Sequence, residues 1–454
     1  MKVLHVVGSF YPAVGYGGPI ASNRALCGAL ASLGIEVRVL TTNTDGARKL
    51  AKEFSGWRAF EGYEVFYGNR WLWRDVSPGL ARELGRQVQM ADVVHLTGTY
   101  NWFLPLAARL SWRCNRPLVV SPRGSLVPEA RGSKGFKKGL FDWLIQGRAL
   151  SRVSAFHATS DAEAEAIREL VPGARVAVIP NGVEVPGALP ERNPEAQPYL
   201  LYMGRLHPYK RVERMIGAFA GATAGGVDRR WSMVDGGQRL TTDDRRLTTN
   251  KETADGGEGA STGDSRQTMD RREMKTVGDG RSAMDHGPWT LTIAGDGEPS
   301  YRRELERVAE EAGVADRVRF VGHVSGDEKT SLLAQAEGLV LASYSENFGM
   351  SVAEALAHGT PCVVSKTAPW EGLGREGCGF WVDDSEEALA EGMRRLMALL
   401  PEESRAMGMR GREWMKREFS WDGVAKRMIG LYERVIEEKK SMDGREKKSM
   451  DDRR

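Results

Sequence analysis

Leu339-Val340-Leu341-Ala342 leads into Ser345-Glu346-Asn347-Phe348-Gly349-Met350-Ser351-Val352-Ala353-Glu354-Ala355-Leu356-Ala357-His358-Gly359-Thr360-Pro361, and then Cys362-Val363-Val364 follows. The pattern predicts a strand ending near Ala342, a loop carrying Glu346, a helix opening near Gly349 and a second strand. Both strands are apolar along their length, which indicates parallel strands covered on both faces rather than a half-exposed sheet.

The rhythm continues outward. Tyr199–Met203, Leu291–Ala294 and Val318–Val321 are further short apolar runs on the amino-terminal side of this unit. Earlier still lie Val3–Val7, Val37–Leu40, Val93–Leu96, Leu118–Val120, Ala155–Ala158 and Val176–Ile179, with helical patterns between them, among them Leu26, Leu30 and Leu33 on one face. Pro186, Pro190, Pro194 and Pro198 separate the two series and read as a linker. The prediction is α/β, with two similar doubly wound domains: 1–185, a linker over 186–198, and 199–420. In such folds ligands sit beyond the carboxyl ends of the strands, here in the cleft between the domains. A final helix over 421–438 carries Val424, Met428, Leu431, Tyr432 and Val435 on one stripe, which must be buried, with the first domain as the candidate partner.

Two segments fit no core. Residues 225–288 contain 11 Gly, 11 Lys or Arg and 12 Asp or Glu, but no Ile, Phe or Tyr. Burial there cannot offset the entropy of ordering, so a disordered insert in the second domain is expected. In the tail, 439–454, Lys439-Lys440-Ser441-Met442-Asp443 returns as Lys447-Lys448-Ser449-Met450-Asp451, and disorder is expected there too.

Composition narrows the function. Across 454 residues, 64 Lys or Arg balance 61 Asp or Glu, which argues against a dedicated nucleic-acid binder. No apolar run reaches the roughly 20 residues of a membrane span, and Val3–Val7 is too short for the core of a signal peptide. Cys27, Cys114, Cys362 and Cys378 are scattered, which disfavours a zinc site or disulfide framework and fits a reducing, cytoplasmic compartment.

Three stretches carry chemistry. Gly15-Tyr16-Gly17-Gly18-Pro19 opens the first helix and could admit a phosphate, but it lacks the third glycine of a dinucleotide fingerprint. Gly204-Arg205-Leu206-His207-Pro208-Tyr209-Lys210 follows a strand and opens a helix. Cations at a helix start are electrostatically unfavourable without an anion, so Arg205 and Lys210 suit a diphosphate. In the opening stretch, the free amides at Gly349, Met350 and Ser351 form an anion pocket, while Glu346 and Glu354 border it. Carboxylates would repel the phosphate, so they are suited to sugar hydroxyls. Asp296-Gly297-Glu298 resembles a carboxylate pair for a divalent ion but reads better as a turn, and no metal is assigned.

The Glu346 and Glu354 spacing, within Glu-Asn-Phe-Gly and Glu-Ala-Leu-Ala-His-Gly-Thr-Pro, resembles the Glu-x7-Glu signature of the retaining glycosyltransferases of group 1, also called glycosyltransferase family 4. Gly204-Arg205-Leu206 through Lys210, Asn181-Gly182-Val183 and Gly17-Gly18-Pro19 resemble further motifs of that family, in order. The resemblance implies a GT-B fold of two Rossmann-like domains, the first binding acceptor and the second the nucleotide sugar. It implies catalytic roles for Arg205, Lys210 and Glu346. Glu354 would bind the ribose, and Phe348, Gly349, Met350, Gly17 and Gly18 would line the donor site.

Ser121-Pro122-Arg123-Gly124-Ser125 stands where many members carry a histidine, and resembles the Pro-Arg-Gly variant of a subset linked to surface polysaccharide assembly. Arg123 and His95 are then acceptor-side candidates, with a satisfied core histidine as the plainer reading of His95. The expected activity moves a hexose, without a cofactor or metal, from a uridine or guanosine diphosphate sugar to a glycan or lipid-linked acceptor. A nucleotide-sugar epimerase on the same fold and a non-catalytic nucleotide-sugar binder stay open. Arg123 to Arg152 holds seven Lys or Arg with Phe136, Phe141 and Trp143 interleaved, compatible with peripheral contact at the inner face of an anionic membrane. A solvated face with buried aromatics is the preferred reading.

Overall fold

The computed structural model describes residues 1–13, 18–46, 48–71, 76–99, 102–126, 147–193, 195–224 and 289–451. The insert 225–288, Gly17 and most of the basic stretch, 127–146, lie outside the described residues.

The first sheet contains β1 (Lys2–Val7), β2 (Glu36–Thr42), β5 (Gly56–Phe60), β6 (Tyr63–Gly68), β7 (Val93–Thr97), β8 (Leu118–Ser121), β9 (Ala155–Ala158) and β10 (Val176–Val178); β3 (Thr44–Asp45) and β4 (Arg48–Lys49) form a small separate ladder. Its order is β10-β9-β8-β7-β1-β2-β6-β5. All neighbours are parallel except the β5–β6 hairpin. The second sheet is wholly parallel, in the order β13-β12-β11-β14-β15-β16. Its strands are β11 (Tyr199–Met203), β12 (Thr290–Ala294), β13 (Val318–Gly322), β14 (Gly338–Leu341), β15 (Cys362–Ser365) and β16 (Gly379–Val382).

Alternation within β1 explains the two-faced core of the first domain. Leu4 and Val6 face a cluster with the helices Pro78–Met90 and Phe103–Arg113, while Val3 and Val7 face the helix Gly18–Ser32. The second face is completed from the far end of the chain. Val424, Ala425, Met428, Leu431, Tyr432 and Val435 of the last helix, Trp421–Asp451, are buried in that cluster. The predicted apolar stripe thus finds its partner on the first domain.

The chain crosses between the sheets twice, side by side. Val183 N–H donates to Phe419 C=O at 2.7 Å, and Val183 bridges Ser420. Gly182 lies flat against the Trp421 indole, where a Cβ would overlap the ring. The linker is tied down as well: Arg192 donates to Ala334 C=O and Ala336 C=O, both at 2.9 Å, and pairs with Glu337.

The tail departs from expectation. The last helix continues to Asp451 instead of giving way to disorder at 439. Its packed first half supplies the costly nucleus, and Lys, Glu, Met and Arg propagate helix well, with Gly444 the main opposing residue. The β5–β6 hairpin and β16 were not predicted either; both lie at sheet edges, where the apolar run is broken.

Of the two readings of His95, the structure favours the satisfied core histidine over the acceptor-side candidate. It is fully buried in β7, between Tyr432 and Ser121, and does not face the cleft. The hydrogen bonds fix one direction along a buried chain. His157 Nε2 donates to Ile179 C=O at 2.7 Å, so its Nδ1 accepts from Ser121 O–H, also at 2.7 Å. Ser121 then accepts from His95 Nε2 at 2.6 Å, and His95 Nδ1 accepts from Tyr432 O–H at 2.7 Å. Every member is satisfied only while both histidines are neutral. His5 sits beside them, its ring centroid 4.6 Å from that of His95.

Burial, with a smaller contribution from the Arg123 charge, lowers His5 and His157 to about 3, and burial lowers His95 as well. The unfolded chain takes up these protons near pH 6.5, while the folded chain takes up those of His5 and His157 only near 3. Stability is therefore full above pH 6.5 and falls as pH drops through the window below it, by about 1.4 kcal/mol per pH unit for each such histidine. The melting temperature should begin to decline near pH 6.5, before carboxylates titrate. A flat melting temperature from pH 7.5 to 5 would contradict the neutral chain.

Candidate active site

In the second sheet the order reverses between β11 and β14, and the loops leaving those two strands carry the predicted charges. After β11, Gly204 leads to a single 3₁₀ turn, Pro208–Lys210, whose first free amide is capped by His207: Tyr209 N–H donates to Nδ1 at 3.1 Å. The helix proper begins only at Val212. After β14, Tyr344 N–H donates to Tyr209 C=O at 2.9 Å, which ties the two loops together. Glu346 N–H donates to Thr367 C=O at 3.1 Å, which anchors the second loop to the segment after β15. Lys210 Nζ and Glu346 Oε2 then meet at 2.5 Å, both largely shielded from solvent. An ion pair thus spans the point where ligands bind in open α/β sheets.

The floor under Gly204 is made of glycine. Gly295, at φ +142, backs onto the Gly204 carbonyl, and Gly297 backs onto that of Leu206. Leu206 N–H donates to Asp296 C=O at 2.8 Å, so Asp296-Gly297-Glu298 forms a close turn beneath Arg205. Arg205 itself is exposed. Among the described residues no group of three or more His, Cys, Asp or Glu side chains is arranged to hold a metal ion.

The helix Met350–Ala357 starts at Gly349, whose φ of 82 suits glycine. Val352 N–H already donates to the Gly349 carbonyl at 3.0 Å, so the amides of Met350 and Ser351 are the ones without an acceptor within the helix, and a Cβ at Gly349 would stand 3.3 Å from Glu346 Cγ. The Phe348 ring is buried against Trp370 and Phe419, and the Phe348 carbonyl accepts from the Trp370 indole N–H. That side chain anchors the loop and leaves only backbone for a ligand. Glu354 pairs with Lys329 at 2.7 Å, a partner on the helix Gly326–Gln335 that nothing in the motif announced.

The first domain supplies the opposite wall. Gly18 opens its first helix, and a Cβ there would stand 3.8 Å from Met350 Cγ, so the two helix starts face each other. Asn347 Nδ2 donates across the cleft to Thr159 Oγ1 at 3.5 Å. Arg123, the other acceptor-side candidate, is engaged within the first domain. At φ 55 it turns its guanidinium to the Asn181 side-chain oxygen, at the start of the interdomain crossing. Glu163, buried in the first domain, was missed by the sequence reading; only Ser160-x-x-Glu163, a helix-start pattern, hinted at it.

Comparison with known proteins matches both domains. Residues 17–182 match the glycosyl transferase 4-like domain, and residues 280–414 match the glycosyl transferases group 1 domain. The two domains are those of a group 1 glycosyltransferase. The D-inositol 3-phosphate glycosyltransferase of Salinispora tropica is 33% identical over 135 residues, which is 30% of this chain and only 28% of that relative. The GDP-mannose:cellobiosyl-diphosphopolyprenol alpha-mannosyltransferase of Xanthomonas oryzae pv. oryzae is 25% identical over 403 residues, 87% of each chain. Among solved structures, Anabaena HepE in complex with UDP and glucose superposes with a TM-score of 0.62 at 17% identity, covering 95% of this chain and 99% of its own. The fold of the group 1 glycosyltransferase described above is accordingly GT-B.

Proposed function

We propose that this chain is a retaining hexosyltransferase that moves a sugar from a nucleoside-diphosphate donor to a lipid-linked or glycan acceptor in surface polysaccharide assembly. The observation that carries this reading is the Lys210–Glu346 pair at the switch point of the second sheet, with the first turn of the helix Met350–Ala357 beside it. Lys210 exchanges its carboxylate partner for the diphosphate when donor binds. Arg205 and the first-turn amides of that helix share the charge that grows on the leaving phosphate. Together these groups supply the positive charge a metal would bring. Glu346, released from Lys210, accepts hydrogen bonds from donor sugar hydroxyls, and Glu354 accepts from the ribose. Among the described residues we assign no carboxylate as a nucleophile, and attack from the leaving-group face is the proposed route to retention.

A lipid-linked acceptor is supported by the full-length likeness to an enzyme named for a diphosphopolyprenol substrate. Among the described residues no helix is long and apolar enough to cross a membrane. The basic and aromatic segment proposed for peripheral contact falls largely outside the described residues.

Nucleoside diphosphates test the donor site directly. At 100 times its dissociation constant, the matching UDP or GDP adds about 2.7 kcal/mol of stability and raises the melting temperature of the wild type. Glu354→Ala should lose most of that shift at the same concentration. A wild type that responds to neither nucleotide at millimolar concentration would remove the basis for this reading.

A further inference from the structure

We infer that Glu163 and Asn347 act together as positioning residues: Glu163 builds the seat in the first domain on which the Glu346-bearing loop of the second domain rests. The inference rests on the proposed transfer reaction and adds to it a coupling between the two domains.

Glu163 is 1% exposed, and its two oxygens serve two different loops. One accepts from Gly124 N–H at 2.7 Å, after β8. The other accepts from Thr159 N–H at 2.8 Å and Thr159 Oγ1–H at 2.9 Å, after β9. Asn347 meets both of these first-domain residues. Because the Thr159 hydroxyl proton is committed to Glu163, the oxygen lone pairs are left for the Asn347 amide, which approaches to 3.5 Å. At Gly124, a Cβ would stand 3.0 Å from Asn347 Cγ, and the backbone is at φ +78. Glycine alone leaves the asparagine its place. Asn347 immediately follows Glu346, so the seat sets where the Glu346 carboxylate stands relative to the first domain and whatever acceptor that domain holds. The proposed ribose contact, Glu354, lies on the helix that follows this loop and is held by Lys329 of another helix, so nucleotide binding should not depend on the seat.

Glu163→Gln keeps the size of the side chain but turns one oxygen into a donor that faces a donor, so one loop is released. Hydrogen exchange on the free protein should then accelerate at residues 343–349 in Glu163→Gln, although the substitution lies in the other domain. Unchanged exchange there would overturn the coupling, whatever the activity of the protein. In kinetics, Glu163→Gln and Asn347→Ala should each lower kcat about tenfold, with the donor KM and the dissociation constants for UDP and GDP unchanged within about twofold. The double variant should be no slower than the slower single, because both remove one arrangement. Wild-type kcat in either single variant, or effects that multiply in the double, would overturn the inference. Should Glu163→Gln fail to fold, Thr159→Val, which removes only the hydroxyl, takes its place in the exchange measurement and in the cycle with Asn347→Ala. A wild type that turns over no nucleotide sugar sinks the proposed reaction and is distinguished from failure of the seat by the exchange measurement, which needs no substrate.

Discussion

Lys210→Ala is expected to lower kcat by about two orders of magnitude, in line with the loss of one preorganised group that stabilises charge in the transition state. The lysine stands at the reversal point of the sheet and is held at 2.5 Å from Glu346, and in the proposed reaction its charge would meet the departing diphosphate. Its removal has a second consequence. Glu346 is largely shielded, and losing the partner leaves that carboxylate without its ion pair. Glu346→Ala should therefore behave like Lys210→Ala if the carboxylate orients the anomeric carbon. Glu354→Ala should differ in kind, because a ribose contact is made equally in ground and transition states: the donor KM rises more than kcat falls. Steady-state kinetics on the three variants reads both halves of the site. Wild-type turnover in both Lys210→Ala and Glu346→Ala would mean that the active site has been placed wrongly.

Gly295→Ala should be among the most damaging small substitutions in the second domain. Two effects add. The backbone at φ +142 is one that L side chains rarely adopt, and the new Cβ would fall within contact radius of the Gly204 carbonyl oxygen, which is backbone and cannot rotate away. A loss on the order of 4 kcal/mol follows, and with it a melting temperature lower by roughly 10 °C. If the chain instead yields at Gly204, Arg205 moves with it, and activity falls while the fold survives. Gly430→Ala is the control: that glycine lies within the last helix with nothing within 4 Å of a new Cβ, so alanine there should be neutral or slightly stabilising. Equal melting temperatures for wild type and Gly295→Ala would show that the glycine floor is not rigid.

The predicted strands were legible for a physical reason. Parallel strands covered by helices on both faces are apolar along their whole length, so Val3–Val7 or Tyr199–Met203 stands out as a run without any partner being known. The same logic hid the β5–β6 hairpin, where Arg58 and Glu64 interrupt the apolar pattern at an open edge. The tail repeat read as disorder because composition says nothing about a helix already nucleated by Trp421 to Val435. His95 stayed open between core and acceptor side because an unbroken run such as Val93-Val94-His95-Leu96 does not say which face a residue takes. Register decided it, by setting His95 opposite His5.

In the site, the motif residues were visible because Glu346 and Glu354 lie on one short segment and Arg205 and Lys210 on another. Their pairings were not. Lys329 with Glu354, and Asn347 with the Glu163 seat, depend on which loops the two sheets bring to one edge. Local periodicity carries no record of a contact between Thr159 and Asn347.

The most direct test of the central claim is a transfer assay with labelled UDP- and GDP-hexoses and polyprenyl-diphosphate saccharide acceptors, reading nucleoside diphosphate release and glycoside product together. The account predicts release in step with a new glycosidic bond of the same anomeric configuration as the donor, dependent on acceptor and suppressed in Lys210→Ala. Release of an epimerised free sugar without acceptor, or binding of the donor with no transfer across the panel, would contradict it.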